Sequence, residues 1–289
     1  IRPFPTSLIQ PLQARIAPAG TITTSPDGKT ANWDDVDGDK ATLKVSKGRL
    51  DASMFTTDQT PATGLILTQL DLTDPMFKGT SVVVTGGRAP LDGGNNSVDI
   101  GYINATGQNL GRVQVNGDLG RIDAGMPDPV AKTPKAISSL NVFSMGMQDG
   151  ETLPDGVAQI SELVGKVGPV KVRGSVQGVL FNVTGGDFGS IDSLTITGSL
   201  IGTDDAGSGR FSTSGKIGAI NIKGSIFGGT GQQSGSIEAG GAIKSLKVGS
   251  IFGGRSDSPS TDGTGVVRTQ QNLGPVTVLG SIHGGTQQD

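Results

Sequence analysis

Apolar and polar residues alternate in short runs through the second half of the chain. Val170-Lys-Val-Arg, Leu194-Thr-Ile-Thr, Ile220-Asn-Ile-Lys, Leu246-Lys-Val and Val276-Thr-Val-Leu each place aliphatic side chains on one side and mostly polar ones on the other. This is the period of a β-strand with one buried face. A glycine-rich phrase follows every run: Gly174-Ser-Val-Gln-Gly, Gly198-Ser-Leu-Ile-Gly, Gly224-Ser-Ile-Phe-Gly-Gly, Gly249-Ser-Ile-Phe-Gly-Gly and Gly280-Ser-Ile-His-Gly-Gly. Their first glycines, at 174, 198, 224, 249 and 280, are 24, 26, 25 and 31 residues apart. A period of that size marks a repeat architecture.

Residues 216–240 are the cleanest copy, with three β-compatible runs around Ile220, Ile226 and Ile237 separated by glycine-rich corners. Runs this short do not fold back on themselves, but each can pair with the same run one coil later, about 4.8 Å along an axis. The pattern therefore predicts an all-β chain in which 96–289 form a parallel β-helix of the right-handed type, with ~25-residue coils, about seven in number. It also predicts its columns. Val176, Leu200, Ile226, Ile251 and Ile282 should point inward, and Gln177, Ile201, Phe227, Phe252 and His283 should form the neighbouring ladder. Phe227 and Phe252 then stack on one another or lie under a loop, a packing role in either case.

The first third reads differently. Residues 1–20 hold four prolines, at 3, 5, 11 and 18, among apolar residues, which predicts an extended arm. Its side chains Ile1, Phe4, Leu8, Ile9, Leu12 and Ile16 are costly to leave in water and should dock on this chain or a neighbouring one. Strand-like runs at Thr21-Ile-Thr-Thr, Ala41-Thr-Leu-Lys-Val-Ser, Gly64-Leu-Ile-Leu-Thr-Gln-Leu-Asp-Leu and Ser81-Val-Val-Val-Thr are separated by Pro26-Asp-Gly, Asp37-Gly and Gly86-Gly. They predict a small β-sandwich-like or jelly-roll-like domain over 21–95 that also seals one end of the helix.

Composition narrows the reading. Forty-eight glycines and only 4% aromatic residues suit tight corners and a narrow aliphatic column. The absence of cysteine removes disulfides and thiolate chemistry. A net charge of −3 gives no footprint for nucleic acid, and no apolar run approaches the ~20 residues of a membrane-spanning helix.

One motif carries candidate metal chemistry. Asp35, Asp37 and Asp39 alternate around a glycine turn, a spacing at which carboxylates converge on a hard cation such as Ca²⁺, although the distal glutamate of an EF-hand is missing. The competing reading is an acidic turn entering a strand, with no cofactor.

Enzymatic chemistry finds little support. Outward positions of the repeated strand are Lys171/Arg173, Thr195/Thr197, Asn221/Lys223, Lys247 and Thr277/Leu279, with no recurring carboxylate pair. Asp204-Asp205, Asp257 and Asp262 fall in loops, and the one histidine is His283. The expectation is a protein without catalytic activity. The basic positions Lys171, Arg173, Lys223 and Lys247 suit an acidic polysaccharide, or simply a solvated face.

Pro11-Leu-Gln-Ala-Arg-Ile-Ala-Pro-Ala, Asp35-Val-Asp-Gly-Asp-Lys-Ala-Thr-Leu-Lys-Val, Val98-Asp-Ile-Gly-Tyr-Ile-Asn-Ala-Thr-Gly, Gly117-Asp-Leu-Gly-Arg-Ile-Asp-Ala-Gly and the Gly-Ser-Ile-x-Gly-Gly coils occur together. This combination resembles large secreted β-strand-repeat proteins of planctomycete and verrucomicrobial bacteria. The resemblance implies an exported β-rich protein at the cell surface and carries no catalytic residues.

The final coil, with Ile282 and His283, has no polar capping repeat. With an apolar arm at the other end, it suggests head-to-tail contact between copies, propagating into a filament or surface array. The alternative is a monomeric adhesion or glycan-binding module of a larger surface protein.

Overall fold

A computed structural model describes residues 21–60, 64–87, 95–126, 134–147, 159–256 and 263–287. The arm residues Ile1, Phe4, Leu8, Ile9, Leu12 and Ile16, and the loop acids Asp257 and Asp262, lie outside them. Among the described residues the protein is all-β, with three single-turn 3₁₀ segments at Ala52–Met54, Pro75–Phe77 and Gly186–Phe188 and no α-helix. Twenty-four strands belong to one hydrogen-bonded sheet.

The sheet begins antiparallel. Thr23–Thr24, Thr30–Asp34, Lys40–Val45 and Thr80–Gly87 pair in that order, and Phe55–Thr60 pairs with Gly64–Asp71. It then turns parallel: Thr80–Gly87 lies parallel to Leu110–Gly125, and Gly64–Asp71 parallel to Ile100–Thr106. Hydrogen bonding thus runs without a break across residues 95 and 96, and one apolar core extends from Ala31 to Val248.

Beyond this switch the parallel part runs as three ladders. The first joins Leu110–Gly125, Lys135–Met145, Lys166–Val172, Ile191–Ile196, Ile217–Ile222, Ile243–Val248 and Val276–Val278. The second joins Gln159–Val164, Val179–Thr184, Arg210–Thr213, Ser236–Ala239 and Val267–Thr269. The third joins Val176–Gln177, Leu200–Ile201, Ile226–Phe227, Ile251–Phe252 and Ile282–His283. A large parallel sheet wound in this way is compatible with a β-solenoid.

Register explains why the ladders hold. Val113, Leu140, Val170, Leu194, Ile220, Leu246 and Val276 stand directly over one another, as do Val115, Val142, Val172, Ile196, Ile222, Val248 and Val278. Except at the last coil these side chains are buried, each contributing about 1.5–3 kcal/mol. The third ladder has the register its sequence predicts: Val176, Leu200, Ile226, Ile251 and Ile282 in one column, Gln177, Ile201, Phe227, Phe252 and His283 in the next. Phe227, Phe252 and His283 form a stack, with ring centroids 5.0 Å apart at each step and planes 4° and 7° from parallel.

A second period, two coils long, is nested in the first. Where the first ladder enters each coil, Leu110-Gly-Arg-Val, Val167-Gly-Pro-Val, Ile217-Gly-Ala-Ile and Leu273-Gly-Pro-Val alternate with Ile137-Ser-Ser-Leu, Ile191-Asp-Ser-Leu and Ile243-Lys-Ser-Leu. Steric contact accounts for the glycines. A Cβ on Gly168, Gly218 or Gly274 would lie 1.9, 1.8 or 2.0 Å from the carbonyl oxygen of Ser138, Asp192 or Lys244 in the preceding coil. Gly218→Ala should therefore destabilise the fold by about 1–3 kcal/mol, because backbone rather than a side chain must move. Gly284→Ala, where an added Cβ meets nothing within 4 Å, should stay within about 0.5 kcal/mol of the parent. Urea titration followed by circular dichroism checks both.

Candidate functional site

The acidic turn sits at the tip of the first hairpin. Along Thr30–Asp34 the residues Ala31 and Trp33 point into the core, and the same alternation carries Asp35 inward. The turn closes through Asp35 N–H to Asp39 C=O at 3.0 Å and Gly38 N–H to Asp35 C=O at 3.1 Å, with Gly38 in the left-handed region at φ 89°. The Asp39 amide donates to Asp35 Oδ1 at 2.9 Å and to Asp37 Oδ1 at 3.3 Å. One carboxylate oxygen from each of Asp35, Asp37 and Asp39 lies within 4.8 Å of the others.

Burial makes this turn unusual. Asp39 is fully buried, and neither of its carboxylate oxygens accepts a hydrogen bond. Asp35 is also buried, and desolvation together with the adjacent Asp37 pushes its carboxyl well above the ordinary carboxylate range. Lys40, the next residue, points to the opposite, exposed side and pairs with Asp34 at 2.5 Å. Asp35 also bridges to Leu65, and the turn packs so closely on the strand Gly64–Asp71 that a Cβ on Gly64 would lie 1.8 Å from the Asp35 carbonyl oxygen.

Two further carboxylates flank the start of the parallel part. Asp118 is buried and accepts from Ser144 Oγ at 2.6 Å and from the Met147 amide at 3.1 Å. Asp99 accepts from the Asp118 amide. Burial raises Asp99 to about 6, with repulsion from Asp118 and Asp37 adding to it.

The basic positions are all exposed and fall in two separate pairs, Lys171 with Arg173 and Lys223 with Lys247. Lys171 and Lys247 share an outward row in which Thr195 and Asn221 stand between them. Arg173 donates to Asn116 Oδ1 at 2.7 Å and lies 5.5 Å over the Phe143 ring. Lys223 is the one remaining member, two coils from Arg173 in the neighbouring row, with Thr197 between them. The structure does not gather the four into a continuous stripe.

A polar row on the second ladder escaped the sequence reading, which aligned outward positions on the first ladder only. Asp123, Glu162, Asn182, Ser212, Glu238 and Arg268 follow one another in register. The Glu162 amide donates to Asp123 Oδ1 at 2.7 Å, and Asn182 Nδ2 to Glu162 Oε2 at 3.0 Å. Tyr102 donates to Asp123 Oδ2 at 2.6 Å while the Arg121 guanidinium lies 3.8 Å over the tyrosine ring. Burial pulls Glu238 up, but Arg268, at 3.0 Å, and Arg210 hold it below the usual carboxylate range. The signal was present in the alternating phrases Ile122-Asp-Ala, Ser161-Glu-Leu and Phe181-Asn-Val, whose spacing the interruptions after Gly125 and Gly146 disguise.

Among the last described residues Val276 is 48%, Ile282 68% and Leu279 66% exposed, while in the same columns Leu246 and Ile226 are buried and Ile251 is half-buried. His283 is exposed on one side and stacked on Phe252 on the other.

Asp99 gives the structure a defined pH response. Its folded value of about 6 lies above the ordinary 3.8, so the fold favours the neutral acid. That contribution is complete below about pH 4 and lost as the pH rises through 6. In urea titrations, Asp99→Asn should therefore gain stability relative to the parent between pH 4 and pH 7; an unchanged difference across that window would show that Asp99 is not held up by burial. No protein-family model, curated protein or solved structure matches the chain.

Proposed function

We propose that the protein is an extracellular, non-catalytic structural element, a three-faced parallel β-helix of the right-handed type whose coils continue from one copy into the next. The observation that carries this reading is the register of the third ladder, in which Val176, Leu200, Ile226, Ile251 and Ile282 stack in one column and Phe227, Phe252 and His283 in the next, so that each repeat meets a neighbour of its own pattern. The strands Val276–Val278 and Ile282–His283 keep that register, with Val276 in line with Leu246 and Ile282 in line with Ile251. Parallel strands with such a repeated pattern are a template for another strand in the same register. A second copy satisfies it most directly, because the side chains that fit over Leu246, Val276 and Ile282 are those of the repeat itself.

The apolar residues Ile1, Phe4, Leu8, Ile9, Leu12 and Ile16 give a neighbouring copy a further segment to dock. The cell-surface setting rests on the resemblance to secreted β-strand-repeat proteins. The glycan-binding alternative has less behind it, since the four basic residues fall in two separate pairs and Arg173 is already engaged.

Sedimentation velocity and electron microscopy across a concentration series test the reading. Polymers with an axial repeat near one subunit length are expected for the parent. Val276→Lys with Ile282→Lys, and separately deletion of residues 1–20, should each leave a folded monomer with an unchanged far-ultraviolet spectrum. A parent that stays monomeric throughout, or polymerisation indifferent to both changes, overturns it.

A further inference from the structure

We propose that Asp35, Asp37 and Asp39 bind a calcium ion that fastens the 35–39 turn to the strand Gly64–Asp71. Three carboxylates in a turn are common, and most are solvated. Asp39 sets this turn apart: it is fully buried, with two oxygens that accept no hydrogen bond. A buried carboxylate without partners is among the least favourable groups a fold can hold. The groups that its carboxylate faces across the cluster are Asp35 and Asp37, within 4.8 Å, and negative charge on either adds to the penalty. A cation among the three reverses the sign of every one of these interactions.

The donor set selects the ion. All three side chains offer anionic oxygen and no nitrogen or sulfur, which favours a hard cation over zinc or copper. Calcium takes six to eight oxygens in irregular geometry, so three carboxylates from alternate residues leave room for main-chain carbonyls and water. Magnesium demands a near-ideal octahedron and sheds water reluctantly, and so fits a turn of this kind less well. Placement adds a consequence. Asp35 bridges to Leu65 and abuts Gly64, so an ion on the turn also restrains the strand that hands the sheet over from antiparallel to parallel pairing.

Trp33, the single tryptophan of the chain, lies buried two residues before Asp35 and makes a local antenna. Terbium(III), a calcium substitute, should show emission sensitised by excitation of Trp33 when added to the full chain after chelator treatment. Calcium should displace it and magnesium should not, and calcium should raise the melting temperature by several degrees. Asp39→Asn should weaken terbium binding by about tenfold or more while melting higher than the parent in chelator, because it removes the unpaired buried charge. Asp37→Asn, at a half-buried position, should weaken binding without that gain, and it keeps the test open if the first variant fails to fold. Absent sensitised emission and an unchanged melting temperature in calcium, equal displacement by magnesium, or undiminished binding in both variants would overturn the proposal.

Discussion

Register between successive coils is the constraint on which the rest of the structure depends. Each strand of the parallel part pairs with strands one coil away, about 4.8 Å above and below, so equivalent positions become neighbours whatever they carry. Aliphatic residues gain from this, and the columns through Leu194 and Ile196 are almost wholly Val, Leu and Ile. Aromatic rings gain as well, as Phe227, Phe252 and His283 show. Charges of one sign lose unless other groups satisfy them, as the Glu162 amide and Tyr102 satisfy Asp123 next to Glu162. Lys171 and Lys247 occupy the same row only with Thr195 and Asn221 between them, and Glu238 sits beside Arg268 in register and pairs with Arg210. The outer surface is thus patterned by stacking compatibility, which is why an exposed basic residue here is weak evidence for a binding face.

The same constraint decided what was legible in the sequence. The three runs around Ile220, Ile226 and Ile237 appear as the strands Ile217–Ile222, Ile226–Phe227 and Ser236–Ala239, and the third-ladder columns follow from alignment alone. Strands were equally visible in the first third: Lys40–Val45, Gly64–Asp71 and Thr80–Gly87 fall where alternation puts them. What alternation cannot convey is the partner. Thr80–Gly87 pairs antiparallel on one side and parallel on the other, a choice made by distant residues, so the shared core with the parallel part was hidden. Thr30–Asp34 was missed because it is short and runs directly into the acidic turn.

The two-coil alternation was hidden for another reason. Gly168, Gly218 and Gly274 carry no signal of their own in the sequence, and their role is to let a backbone carbonyl approach where a side chain would collide. Sequence shows that a residue is glycine; only the neighbouring coil shows what the missing Cβ would have met. The alternation with Ser138, Asp192 and Lys244 means that adjacent coils differ slightly in local geometry while keeping a common register.

The acidic turn shows where the rule of stacked neutrality is broken. The buried carboxylate of Asp118 is matched by Ser144 and the Met147 amide. At Asp39 it is not, and the position lies in the antiparallel part, where no coil-to-coil column supplies an opposite charge. Two kinds of relief exist for a buried carboxylate cluster. A proton neutralises one group but satisfies only one oxygen and links nothing further. A divalent cation engages all three groups at once and couples the turn to the strand against which Asp35 is packed. Since the parallel part takes its register from Gly64–Asp71 and Thr80–Gly87, rigidity at this turn propagates into the template on which every later coil is laid.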